Sequence, residues 1–196
     1  MPFQNRVTPL GELISTPERG LVYGNRGRLH DEQGNIRREW QLKRWISCRL
    51  EFRGRYRAGG PMAPNRYTGL FFLDDATALA AGHRPCAECR NPDYKSFLAL
   101  TAASRADELD EMLHAERGRL HEAELNELPD GAFVVLDHQP WLVLASELLR
   151  WPPGGYAERQ PRFSGRVDVA TPPTSLSVLA SGWRGSLTLA HPGRPA

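Results

Sequence analysis

Two cysteines stand three positions apart in the run Arg84-Pro85-Cys86-Ala87-Glu88-Cys89-Arg90, just ahead of a segment that reads as a helix. A tight turn at this spacing brings both sulfurs to one edge of a tetrahedron, so the pair suits a Zn²⁺ ion. Arg84, Arg90 and the positive end of the following helix favour the thiolate form that a metal needs. A redox pair is the competing chemistry, but it belongs in a βαβ context that this pattern lacks. Two unrelated buried thiols are the bland alternative. The third cysteine, Cys48, falls with Ile46, Leu50 and Phe52 on the apolar side of an alternating segment. A cysteine there can pack as a small hydrophobe. Three cysteines are too few for a disulfide scaffold, and an odd count points to thiol or metal chemistry.

The stretch from Leu70 to Arg90 carries an aromatic strand (Leu70-Phe71-Phe72-Leu73), then Ala78-Leu79-Ala80-Ala81-Gly82, then the Arg-Pro-Cys-x-x-Cys-Arg run. This order resembles the second half of the zinc-binding domain of the Ada adaptive-response family, which repairs methylphosphotriesters in DNA. A weaker similarity reaches back to Trp45-Ile46-Ser47-Cys48, so that it covers about residues 45–91. The resemblance implies that Cys48, Cys86 and Cys89 are zinc ligands. It also implies that Cys48 occupies the place of the catalytic thiolate that takes a methyl group from a DNA phosphotriester. The family's first half has a second cysteine four positions after the first, whereas here that position is Phe52, so one of four cysteine ligands is missing. A site of three Cys and one His is ordinary zinc chemistry. The candidates for the fourth place are His30, in a polar loop, and His83, at a position the family gives to an aromatic residue. A water would instead leave an open, catalytic site. Replacing a thiolate by a neutral ligand also lowers the electron density on the remaining sulfurs, which weakens the methyl-acceptor reading.

The elements that must position these residues are legible in outline. Residues 1–29 read as short extended pieces separated by turns. Alternation from Ile46 to Arg53 predicts a half-buried strand with a basic outer face bearing Arg49 and Arg53, and Arg55 and Arg57 continue the row. Leu70–Leu73 predicts a short strand. Asp74 or Asp75 can cap the Ala-rich turn Ala76–Ala81, with Gly82 ending it. Asn91-Pro92 opens a helix expected over about 92–103. A second is expected over about 106–117, with a continuation over 120–128 beyond Gly118. Two strands are expected at Ala132–Asp137 and Trp141–Ala145, joined by His138-Gln139-Pro140. Another is expected at Arg166–Ala170, and Ser175–Ala180 suits strand or helix. The sequence therefore predicts an α+β protein. Residues 1–130 would form an Ada-like metal-binding module with a helical extension, and 131–196 a β-rich C-terminal region.

Charge adds a partner class. The chain has 196 residues and a formal net charge of +2, but residues 1–66 carry 13 basic and 6 acidic groups while 67–130 carry the reverse. All basic residues except Lys43 and Lys95 are arginine, the side chain best shaped for phosphate. Arg49, Arg53, Arg55, Arg57, Arg84 and Arg90 are accordingly candidate nucleic-acid contacts, DNA favoured, with Trp40, Trp45, Tyr56 and Tyr67 available to stack on unpaired bases. Internal pairing with the acidic middle segment is the rival. His114 and His121 lack compact metal spacing and read as parts of a solvated helix, and His30 with Asp31 and Glu32 is a weak hydrolytic constellation. Trp141 and Trp151 read as core before ligand pocket. There is no Walker loop, GxGxxG, GxSxG or HExxH, so nucleotide-cofactor and serine-hydrolase chemistry has no support. No apolar run approaches the roughly 18 residues that span a bilayer, and the first residues lack the order of a signal peptide, which predicts a cytoplasmic protein. The expected function is a zinc-binding protein that meets nucleic acid through its basic N-terminal face. The alternatives are an enzyme, either a methyl acceptor or a zinc-dependent hydrolase or nuclease, and a structural zinc module for protein interaction.

Overall fold

The computed structural model describes residues 1–53, 60–185 and 189–190; Arg55, Tyr56 and Arg57 lie outside them. In chain order the strands and helices are β1 (Gln4–Val7), β2 (Leu13–Ser15), β3 (Val22–Asn25), β4 (Ile46–Cys48), β5 (Leu70–Phe72), α1 (Asp75–Ala80), β6 (Arg84–Pro85), α2 (Asn91–Leu98) and α3 (Ala106–Glu116). There follow β7 (His121–Glu124), β8 (Phe133–Leu136), β9 (Gln139–Leu144), β10 (Glu147–Arg150), β11 (Arg159–Pro161), β12 (Arg166–Val169) and α4 (Pro173–Ala180). The class is α+β, and mostly β. The first sheet is mixed, in the order β2-β1-β5-β3-β4-β6, and the second is antiparallel, in the order β11-β10-β9-β8-β12-β7.

Helix α1 joins the two halves because its residues are small enough to be covered on all sides. All six are buried. Ala78 and Ala81 pack with Val7, Val22, Leu70 and Phe72 of the first sheet, and Ala76 and Ala80 pack with Phe133, Leu142, Leu149, Trp151 and Tyr156 of the second half. Asp74 caps α1, accepting from Thr77 N–H at 2.9 Å and from its hydroxyl at 2.8 Å. The same carboxylate accepts from the Tyr156 hydroxyl at 2.7 Å and from Ala190 N–H at 3.1 Å. Trp151 donates its indole N–H to Thr77 at 3.1 Å, which makes it core. Gly82 ends α1 at φ +78, and a Cβ there would stand 2.5 Å from the Arg117 side chain. Helices α2, α3 and α4 share a separate core around Phe97, Leu109, Leu113, Val178 and Trp183.

Several expected elements are shorter or of another kind. The strand predicted over 46–53 ends at Cys48, because its neighbours run out there. Tyr23 of β3 is the partner of Cys48, and β6 is two residues long and ends in a proline, which has no N–H for a ladder. Its facing also differs: Ser47 and Trp45 are buried, Ile46 and Cys48 half-buried, and Leu50 is exposed. Helix α2 stops at Leu98, whose carbonyl takes the Thr101 hydroxyl at 2.8 Å. The helix expected over 120–128 is instead β7 followed by a 3-10 turn, Leu125–Glu127. Gly118 at φ +69 ends α3, and pairing with β12 recruits the next segment as a strand. The second sheet therefore starts at His121, within the stretch expected to be a helical extension. The β8–β9 hairpin turns on Asp137 and His138, both in the left-handed region, so Gln139 and Pro140 belong to β9. Residues 175–180 are helical, within α4.

Candidate metal centre

Parallel pairing of two very short strands brings the cysteines together. Ile46 of β4 is opposite Arg84 of β6 and Ser47 is opposite Pro85, so the next step along each strand juxtaposes Cys48 and Cys86. Cys86 N–H donates to Ser47 O at 2.9 Å and locks that register. The chain then turns tightly, with Arg90 N–H donating to Cys86 O at 3.0 Å. Asn91 Nδ2 donates to Ala87 O at 2.8 Å across the same turn, which returns Cys89 toward the other two. The three Sγ atoms lie within 4.8 Å of one another. Cys86 is buried, and Cys48 and Cys89 are half-buried.

The local electrostatics favour negative charge on sulfur. Cys86 Sγ accepts from Glu88 N–H at 3.4 Å. The Cys86 thiol is held far below its ordinary value by hydrogen bonds from Cys48 and Cys89, aided by the backbone N–H groups of the turn. Cys48 and Cys89 are pushed up, Cys48 chiefly by its hydrogen bond to Cys86. Of the three sulfurs, Cys86 is the one whose surroundings favour the thiolate. A cation that displaced the thiol protons would find three converging sulfur donors. Three thiolates suit soft or borderline metals, and with Zn–S bonds of about 2.3 Å a tetrahedral edge is about 3.8 Å, compatible with the observed cluster.

Arg90 fixes the turn from behind. It is buried, paired with Asp75 of α1, bonded to Asp93 of α2 at 3.0 Å and to the Ser47 hydroxyl at 3.4 Å. Arg84 is equally buried and meets Asp110 of α3 through two bonds of 2.9 Å. Neither arginine therefore faces a phosphate backbone, which corrects two of the expected nucleic-acid contacts: the acidic middle segment has claimed them. Arg49 and Arg53 are exposed just after Cys48; Arg55 and Arg57 lie outside the described residues.

The two histidines considered as a fourth ligand sit elsewhere, and the described cluster consists of the three cysteines. His30 is bonded on both nitrogens, to the Thr68 hydroxyl at 2.6 Å and Ala63 O at 3.1 Å. The carbonyl requires the proton on Nε2, so Nδ1 accepts from Thr68 and has no lone pair left for a metal. His83 packs against Trp45 and Phe72 with centroid separations of 5.1 and 4.6 Å, and its Nε2 accepts from Arg26 Nε at 3.3 Å. It fills the aromatic position as an aromatic would. Asp31 is engaged with Arg37 and its own turn, and the described metal-type cluster includes neither it nor Glu32. The sequence pattern allowed internal pairing but did not name the partners of Arg84 and Arg90, which are 26, 15 and 3 positions away; of these only Asp93 is within reach of a local pattern.

Comparison of the chain with protein-family models, curated proteins and solved structures finds no match. Among the described residues no helix is long and apolar enough to cross a membrane.

Proposed function

We propose that this chain is a zinc-binding protein, Ada-like over residues 45–91, with Cys48, Cys86 and Cys89 as ligands and an arginine-bearing segment beside them that contacts nucleic acid. The observation that carries the reading is the convergence of three sulfurs from two chain segments 38 residues or more apart, on backbone hydrogen bonds that hold them in register. Exposed Arg49 and Arg53 follow the first ligand directly and suit phosphate contact. Among the described residues neither His30 nor His83 joins the cluster, which leaves a fourth coordination place that water or a ligand from solution can fill.

The half-exposed position of Cys48 favours a second reading, in which it is the catalytic thiolate of a methyl acceptor. Zinc would supply a stabilised, nucleophilic thiolate there. A hydrolase would need a base, and the described cluster is all sulfur. A purely structural module would leave Cys48 unreactive.

Elemental analysis of the purified full chain tests the proposal. One zinc per chain, lost in Cys86→Ser, is the expected result; protein without bound metal overturns it. Cys48→Ser separates the binding and enzyme readings, because a protein that keeps its fold and nucleic-acid affinity but no longer accepts methyl groups is an enzyme.

A further inference from the structure

Away from the cysteines, a half-open cleft of about 400 Å³ is lined by Leu10, Arg26, Trp40, Trp45, His114 and Arg117, among others, a size in the range of small-molecule sites. Arg26 is 1% exposed, and its guanidinium lies 3.8 Å from the Trp45 ring centroid; that of Arg117 lies 4.4 Å from the same ring. Arg26 is anchored by Nη1 on Gly11 O at 2.8 Å and by Nε on His83. Arg117 is anchored by Nε on Gly82 O at 2.9 Å and Nη1 on Lys43 O at 2.8 Å. In both, Nη2 is shielded from bulk water and has no hydrogen-bond partner among the described residues.

Arg26 is buried and Arg117 half-buried, and both differ from the buried Arg84 and Arg90. Arg84 and Arg90 each meet a carboxylate. No carboxylate is bonded to Arg26 or Arg117 among the described residues, and the nearby Asp110 has both oxygens engaged by Arg84. Burial pushes both guanidinium groups down to about 9, although Glu39 acts the other way on Arg26, and Asp110 and Glu116 on Arg117, without bonding to them. Burying unpaired charge is costly unless a counter-ion joins it. Glu39 at the cleft is a single exposed acid against Arg26, Arg117 and exposed Arg119. Trp40 adds a partly exposed ring, edge-on to His114 at 4.6 Å.

We propose that this cleft binds a phosphomonoester: the dianion pairs with Arg26 and Arg117, and a flat organic group lies against Trp40. The site shares no residue with the cysteine cluster, so it stands or falls independently of the metal. Two rigidly held guanidinium groups match a dianion better than a carboxylate, and preorganisation spares the entropy of ordering them.

The melting temperature of the full chain, followed by tryptophan fluorescence at constant ionic strength, tests this with adenosine 5′-monophosphate, inorganic phosphate and adenosine as probes. At up to about 10 mM probe, even millimolar affinity registers. The expected result is a rise with the monophosphate, a smaller one with phosphate, none with adenosine, and affinity about tenfold or more weaker in Arg117→Gln. Should Arg117→Gln not fold, Trp40→Ser replaces it and should reduce the monophosphate response to that of phosphate alone. No rise with either anion, or an undiminished rise in the folded variant, overturns the site. An equal rise with phosphate and monophosphate in the wild-type chain overturns the organic half of the proposal, as does a rise with adenosine.

Discussion

The Arg84 guanidinium and the Asp110 carboxylate face each other through two parallel bonds of 2.9 Å, with side chains 2% and 5% exposed. This pair ties β6, the strand that delivers Cys86, to α3. The positive charge preceding the cysteine turn is therefore a fastening for the turn.

Removing one member of such a pair leaves the other buried and unpaired. Asp110→Ala should destabilise the protein by about 3–5 kcal/mol, whereas the double change Arg84→Met with Asp110→Leu should recover most of that loss. Urea unfolding measures both; equal losses in the single and double variants would contradict the pairing argument.

Metal removal should act through the fold. If three sulfurs hold zinc, part of the binding energy is folding energy, so a chelator should lower the melting temperature and expose three titratable thiols in place of protected ones. Thiol titration with and without chelator checks it, and identical counts in the two conditions would sink the prediction.

Phosphate contact by Arg49 and Arg53 has a salt signature. Each phosphate neutralised contributes about 0.9 to the slope of log affinity against log salt on duplex DNA. Changing both arginines to alanine should flatten the slope by about 1.8, while Arg90→Lys should affect stability instead. Binding isotherms over a salt series distinguish the two behaviours.

Asp74 gathers donors from Thr77, Tyr156 and Ala190. Asp74→Ala removes an N-cap and strands buried donors, for an expected loss of at least about 2 kcal/mol. Tyr156→Phe loses a single bond and should cost about 1 kcal/mol. A denaturation series in which Tyr156→Phe proved the worse of the two would reverse the assignment.

His83 contributes to the pH dependence of stability. Burial first, then the charges of Arg26 and Arg117, hold its pKa well below 6.5. The unfolded chain takes up a proton near pH 6.5 and the folded chain does not. The stability linked to this group is therefore complete above about pH 6.5, and falls below it by up to about 1.4 kcal/mol per pH unit. His83→Gln should flatten the stability profile between about pH 6.5 and pH 5, and an unchanged profile would show that other groups govern it.

Local chemistry made much of this protein legible from its residues. Asp74 and Gly82 bracket α1 because a carboxylate caps free N–H groups and glycine alone enters the left-handed turn easily. Asn91-Pro92 marks the start of α2, though Arg90 takes the cap position without a side-chain capping bond and the Asn91 side chain turns back to Ala87 O instead, and the spacing of Cys86 and Cys89 is itself a turn signal. What the tertiary structure decided depends on partners distant in sequence. Strand β4 ends where its neighbours end, so the alternation beyond Cys48 has no ladder to join, and Leu50 is left exposed. The segment after Gly118 became a strand because β12 offered an edge. The basic residues divided by their neighbours: Arg84 and Arg90 found buried acids, Arg26 and Arg117 bond to no carboxylate among the described residues, and Arg49 and Arg53 stayed at the surface. Charge type is written in the chain, but its use depends on which opposite charge the fold places within about 4 Å, because Coulomb attraction and desolvation are both settled at contact distance.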